Sequence, residues 1–392
     1  MFRKRRIQKI CCGVCLASIL STSSFCSTMV FAEETYVAVD GNQVSEERLS
    51  DQLIEYDELG SLIHQNNVNI QIIINTIEKQ KQDYIDSNNY LRSEKASAKQ
   101  GKKDAKEDGD MEAYVEYATA EAIYSASISG YNKVIRILDS QNTNRTRVTL
   151  EKQLTNAAQS LFIAYQSILL QEESLVKIED LYRKQYEDSL VLKQVGLVTE
   201  QETLTAYGNW TGIKVTLDSL KSSETSIYNS LCILLGVEEN GSMEIQKISP
   251  VDLSRLDQLN LEEDTKKAIG SNTSIINTRH TSSVGSGAAM DLKTLTLDEL
   301  EEKVTVKMEQ LYAEVKQAKV AYDAAEVRLT SAEILWNNAG KKYSLGMLSE
   351  SQYLLEEMQY IQSKVNYETA DLNLFSALET YGWAKKGIAN LE

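Results

Sequence analysis

The sequence predicts an all-α protein built as two tandem long helical hairpins joined along coiled-coil seams. Three observations carry this. First, Pro250 is the one proline in 392 residues. Proline breaks helices, so its near-absence favours long uninterrupted ones. Second, sliding the sequence by 150 residues lays Gly196 on Gly346, Thr199-Glu200 on Ser349-Glu350 and Leu204 on Leu354. Third, apolar residues beyond each glycine recur at alternating steps of three and four, the 3.5-residue period of a coiled-coil seam.

Residues 1–32 have the form of a secretory signal. Arg3, Lys4, Arg5, Arg6 and Lys9 form a basic start, Ile10 to Leu20 an apolar core, and Val30-Phe31-Ala32 a small-residue cleavage site. The alternative is an uncleaved anchor, but the serines and threonines from Ser21 to Thr28 make a weak spanning helix. A lipoprotein site is disfavoured because Phe25 before Cys26 is too large. Removing the five basic groups of this segment from the chain's 41 leaves 36 against 57 acids, a net charge of −21. A surface so acidic excludes nucleic acid as a partner. Cys11, Cys12, Cys15 and Cys26 leave with the signal, so Cys232 alone remains and no internal disulfide can form.

Residues 33–60 form an N-terminal segment ahead of the first hairpin repeat, which spans 61–240. Residues 61–95 predict a helix with Ile70, Ile73, Ile74 and Ile77 along one side. Lys95 to Asp110, dense in charge and holding two glycines, is expected to be a loop or frayed helix, with helix resuming from Met111. Leu161, Ile168, Leu175 and Tyr182 then recur at heptad spacing up to the glycine turn, and their partners 150 residues on are Leu311, Ala318, Ala325 and Ala332. Beyond the turn Leu217, Leu220, Glu224, Ile227, Leu231 and Leu234 form the return seam. Its counterpart is Tyr367, Ala370, Leu374, Ala377, Tyr381 and Ala384. Residues 241–300 hold the proline and most remaining helix breakers and are expected to link the repeats; residues 301–392 are the second hairpin. Tyrosine dominates the aromatics, 20 against 5 Phe and 3 Trp, which suits narrow seams where a ring is buried and its hydroxyl stays wet.

Each turn has a local cause. Glycine just past a helix end takes the left-handed conformation that stops the helix. Thr199 with Glu202, and Ser349 with Gln352, have the Ser/Thr-x-x-Glu/Gln spacing of a capping box that starts the next helix. Two such turns in register at one offset mark Gly196, Thr199, Glu200, Gly346, Ser349 and Glu350 as matching hairpin tips. The nearby acids Glu187, Asp188, Glu200, Glu202 and Glu350 have two readings. Repeated around a closed ring they would favour cations at an entrance; as helix-end charges they simply suit solvent and the helix dipole.

No chemistry of catalysis emerges. His64 and His280 stand far apart without metal-ligand spacing. Gly285-Ser286-Gly287 opens like a dinucleotide loop but lacks a preceding strand and a third small residue. The carboxylates are evenly scattered, with no pair set in an apolar pocket. The expectation is no enzyme, no cofactor and no metal.

The paired repeats, each a tyrosine-rich helix, a Gly-x-x-Ser/Thr turn and a leucine- or alanine-seamed return helix, resemble the TolC family of outer membrane efflux proteins. Leu231-Cys232-Ile233-Leu234-Leu235-Gly236 is similar to the Leu-x-x-Leu-Leu-Gly that closes the family's first return helix. Asn67-Val68-Asn69-Ile70 and Asn272-Thr273-Ser274-Ile275 resemble the Asn-Pro-x-Ile that opens each family repeat, without its proline. The resemblance covers roughly residues 60–390. It implies three protomers in a hollow helical barrel, tips that meet a periplasmic-adaptor-type protein and a transporter of ABC or RND type, and passage of substrates without chemical change, as in efflux or type I secretion.

One departure matters. The family inserts a β-hairpin in each repeat to cross the outer membrane, and such strands need about 9–11 residues of alternating character. Lys95 to Asp110 and the window from Ile276 to Leu297 have no such alternation, so the expected fold is a TolC-like helical barrel protomer without a clear β-barrel. The family implies an outer membrane location; the missing strands also fit the surface of a cell with one membrane. Two other readings stand beside the conduit. One is an envelope-associated structural or adhesive coiled coil without transport. The other is an adaptor, which carries one hairpin and strand-rich domains that are absent from this pattern.

Overall fold

The computed structural model describes residues 52–238, 243–281 and 287–388. The expected signal, 1–32, lies outside them. The chain divides into two compact units, one holding residues 64–151 and the other residues 52–63 and 152–388 of the described chain.

The first unit is a helical hairpin. After a short helix α1 (Leu59–Asn66), helices α2 (Val68–Glu107) and α3 (Met111–Leu138) turn at Gly109, which has φ +73°. Asn67 starts α2 by accepting the amides of Asn69 and Ile70 at 3.1 and 3.3 Å. Ile70, Ile77, Leu91, Ala98 and Ala105 are buried, on one heptad stripe that continues through Tyr84, whose ring lies 5.6 Å from that of Tyr131. Helix therefore continues through Lys95 to Glu107, where a loop or frayed end was expected. The lysines lie between small contact positions. At Gly101 an added Cβ would fall 2.7 Å from the Tyr117 ring, so α3 approaches closely enough to bury Ala98 and Ala105 while the charges stay wet. Lys102 pairs with Glu121 on α3, and Gln100 bonds Asp104 one turn on. Charge density alone, in a segment of good helix formers, does not break a helix.

The second unit contains both glycine-turned hairpins. Helix α4 (Gln141–Gln194), whose first residues belong to the other unit, returns as α5 (Glu200–Leu235); α9 (Gly287–Ser344) returns as α10 (Glu350–Lys385). The bounds keep the same offset: α4 and α9 end, and α5 and α10 start and stop, 150 residues apart. α9 begins within the 241–300 segment expected to connect the repeats. Between the hairpins, Leu53–Ile54 (β1) pairs in parallel with Glu244–Ile245 (β2). The short helices α6 (Ser254–Asp257), α7 (Leu261–Ser271) and α8 (Thr273–His280) then close the end away from the glycine turns. There Ala268 and Ile275 join Val304, Met308, Leu311, Leu374 and Tyr381 in one core. Asn272 caps α8 through the Ile275 amide at 3.1 Å, and Ile275, like Ile70, is fully buried. In both Asn-x-x-Ile segments the asparagine caps and the isoleucine anchors.

Several seam tyrosine hydroxyls are bonded across the helices rather than wet. Tyr165 donates to Glu224 at 3.1 Å, and burial, reinforced by this bond, pushes its pKa up to about 12. The Tyr322 and Tyr367 hydroxyls meet at 2.8 Å, and Tyr381 donates to Asp264 at 3.1 Å. A seam this narrow satisfies the hydroxyl across the helix pair. Among the described residues no helix is long and apolar enough to cross a membrane.

Candidate docking tips

Each tip is built by the same backbone bonds. The Gly196 amide donates to the Lys193 carbonyl at 3.0 Å and the Leu197 amide to Leu192 at 2.9 Å; Gly346 donates to Tyr343 at 2.9 Å and Met347 to Lys342 at 2.8 Å. This pair of bonds needs a left-handed residue, and the glycines supply it with φ +75° and +72°. Both capping boxes form: Thr199 accepts the Glu202 amide and Ser349 accepts the Gln352 amide, and the Glu202 and Gln352 side chains return the bond. The Thr199 amide, then its hydroxyl, hold the Glu202 carboxyl below the usual carboxylate range.

The result is a projecting loop with apolar residues on both sides of the glycine. Leu197 and Leu345 are each 74% exposed, Met347 70% and Val195 65%. Large side chains exposed at equivalent positions on two loops give both tips the same apolar surface. Sequence reasoning had the glycines and the caps but not these four neighbours. Their signal was available: Val195 and Leu197 fall on Leu345 and Met347 at the same offset.

The acids nearby are tied locally. Glu187 pairs with Arg183 at 3.3 Å and Glu200 with Lys193 at 3.4 Å. Glu350 reaches across to Lys184 at 2.5 Å, joining α10 to α4, and its hydrogen bond raises the Lys184 pKa. Asp188 and Glu202 instead line a cavity of about 430 Å³ between the hairpins, whose apolar wall includes Leu181, Leu354, Leu355 and Met358. The structure thus brings Asp188 and Glu202 to one cavity, pairs Lys184 with Glu350, and leaves Gly196 and Gly346 outside the cavity lining on the loops. No set of three His, Cys, Asp or Glu residues among those described could hold a metal ion.

Fold and site together define an α-helical protein of two equivalent hairpins with apolar tips. In comparisons with known proteins, no family model and no curated protein matches the sequence. Among solved structures, the chain is similar to outer membrane channels. One is CmeC of Campylobacter jejuni, at 13% identity and TM-score 0.42 over 68% of each chain. Another is VceC of Vibrio cholerae, at 12% and 0.45 over 67% of this chain and 75% of that one. A third is the channel OprN, at 8% and 0.48 over 92% and 97%. At these identities and scores the likeness is one of helical scaffold and nothing finer.

Proposed function

We propose that this chain is a TolC-like conduit of the cell envelope. Copies of it, three by the family resemblance, surround a lumen through which an efflux or type I secretion system passes its cargo. The tips at Gly196 and Gly346 meet an adaptor-type protein and, with it, an ABC or RND transporter. The supporting observation is the matched pair of tips, each a glycine-stopped, box-capped loop exposing two large apolar residues. The α2–α3 pair is helical up to Glu107 and again from Met111, where the family places one of its lipid-crossing hairpins. This favours an end that stays in the envelope or at the surface of a single-membrane cell.

Two measurements test the reading. End views of the purified assembly by electron microscopy should show a central hole. Native complexes should yield a hairpin-bearing adaptor and a transporter, and Leu197→Ser with Met347→Ser should lose both while helicity by circular dichroism stays unchanged. A solid rod would favour the structural coiled-coil reading instead, and partners retained by the double variant would remove the tips from the site.

A further inference from the structure

Asp371 is a carboxylate without a counter-ion. It stands half-buried on α10 and accepts the Val251 amide, at 3.2 Å through one oxygen and 3.4 Å through the other. Burial pushes its carboxyl up, and only that amide pulls it back. Asp264, by contrast, is met by Lys385 at 2.6 Å. A desolvated charge without a cation costs stability. Set in a cleft, such a group is a candidate for holding a ligand.

The cleft is there. Asp371 lines a cavity of about 480 Å³ in the second unit, between α4, the segment 247–250 and α10. Leu170, Leu372 and Tyr367 give it an apolar wall, with Gln166 beside them. Gln166 is 5% exposed, and its amide nitrogen donates to the Gln246 carbonyl at 3.0 Å. A carbonyl can only accept, so this bond fixes which end of the amide is nitrogen and leaves the side-chain oxygen as an acceptor. The remaining charges of the lining are engaged or outside. Glu368 pairs with Lys364 at 4.0 Å, and Lys247 is exposed, its charge acting on Glu173.

This composition selects a class of ligand. The inner polar groups, Asp371 and Gln166, accept hydrogen bonds, and one of them is negative. The complement is a donor that carries positive charge. A metal ion is a poor fit, since no three His, Cys, Asp or Glu residues among those described come together. An ammonium needs only one carboxylate, and a Tyr367 ring in the wall suits it as well. The volume lies in the range of small-molecule sites and leaves room for an apolar body beyond the nitrogen.

We propose that this cleft binds a small organic ammonium ion, its nitrogen held by Asp371 and the Gln166 carbonyl and its apolar body laid against Leu170, Leu372 and Tyr367. The site lies within one chain, so it stands or falls separately from the conduit reading.

The test is equilibrium dialysis of the purified full chain against phenethylammonium chloride, in physiological salt to screen the acidic surface. Phenethyl alcohol and phenylacetate serve as the neutral and anionic comparisons. The amine should bind once per chain, and the alcohol roughly tenfold or more weakly. Asp371→Asn keeps an acceptor for the Val251 amide, so its melting midpoint should not fall below wild type, yet the amine should bind roughly tenfold or more weakly. Lys247→Gln removes a like charge and should leave amine binding intact or tighter. An affinity unchanged in Asp371→Asn would mean that the acidic surface at large holds the amine, since Asp371 is one of 57 acids, and would overturn the site. So would the absence of amine uptake at millimolar concentration. Phenylacetate binding more tightly than the amine, and lost in Lys247→Gln, would overturn the ligand class.

Discussion

Trp336 and Tyr360 stack face to face, ring centroids 4.6 Å apart and planes 6° from parallel. One repeat earlier the same two positions hold Tyr186 and Trp210, stacked at 5.7 Å and 18°. The tryptophan has changed helices and the contact has stayed. The indole nitrogens differ: that of Trp210 donates to Glu179, whereas that of Trp336 is buried with no acceptor. Trp336 therefore contributes only ring area and stacking, the latter worth about 1 kcal/mol. Trp336→Phe should leave the melting midpoint almost unmoved. Trp336→Ala should cost about 2 kcal/mol, below the ~3–5 kcal/mol of a fully buried tryptophan because this ring is half-exposed. Thermal melts of the two variants decide it, and equal losses would show that the nitrogen matters.

Three glycines share the left-handed conformation but not their surroundings. At Gly196 and Gly346 an added Cβ meets nothing within 4 Å. Alanine there should cost only the backbone penalty of about 1–2 kcal/mol, and asparagine less. At Gly387, φ +88°, the Cβ would stand 2.2 Å from the Ser271 carbonyl oxygen, and that atom belongs to the end of α7. Gly387→Ala should add an overpacking cost of about 1–3 kcal/mol to the same penalty. The ranking is read from melting midpoints, and a Gly346→Ala loss as large as that of Gly387→Ala would contradict it.

The hairpins were legible because their signals are local and repeated: a glycine and a cap fix each turn within eight residues, and 3.5-residue spacing marks each seam. Of the α2–α3 hairpin, the helix up to Lys95 and its resumption at Met111 were legible. The helix from Lys95 to Glu107 was not, since it depends on Gly101 fitting under Tyr117, a contact between helices that no local pattern announces. The site was half legible. Gly196 and Gly346 declared the turns, but exposure of Leu197 and Met347 depends on which side of the loop the fold leaves bare. The Lys184–Glu350 bridge between hairpins pairs residues far apart in sequence, and charge patterning along either helix gives no hint of it.

Two aspartates, Asp264 buried and Asp371 half-buried, should respond to pH with opposite signs. Burial pushes Asp264 up, but hydrogen bonds from Lys385 at 2.6 Å and from the Asn260 amide, with the charge of Lys385, outweigh it and hold the carboxyl below its ordinary value. Asp371 is raised by burial, offset only in part by the Val251 amide at 3.2 Å, and lines a cavity of about 480 Å³. A depressed folded pKa gives stability that is present above the unfolded value of ~3.9 and lost as pH falls through the folded one. Asp264→Asn should therefore lower the melting midpoint at neutral pH, with the deficit shrinking once the pH drops below about 4. For a raised pKa the sign reverses: the charged form burdens the fold, and protonation relieves it as pH falls through the folded value. Asp371→Asn keeps an acceptor for Val251 and should raise the midpoint at neutral pH, the gain fading on acidification as the wild-type carboxyl takes up its proton. Midpoints measured from about pH 7 down to about pH 3 should show the two difference curves approaching zero from opposite sides. Curves that run parallel to wild type would mean that neither carboxylate titrates with the fold.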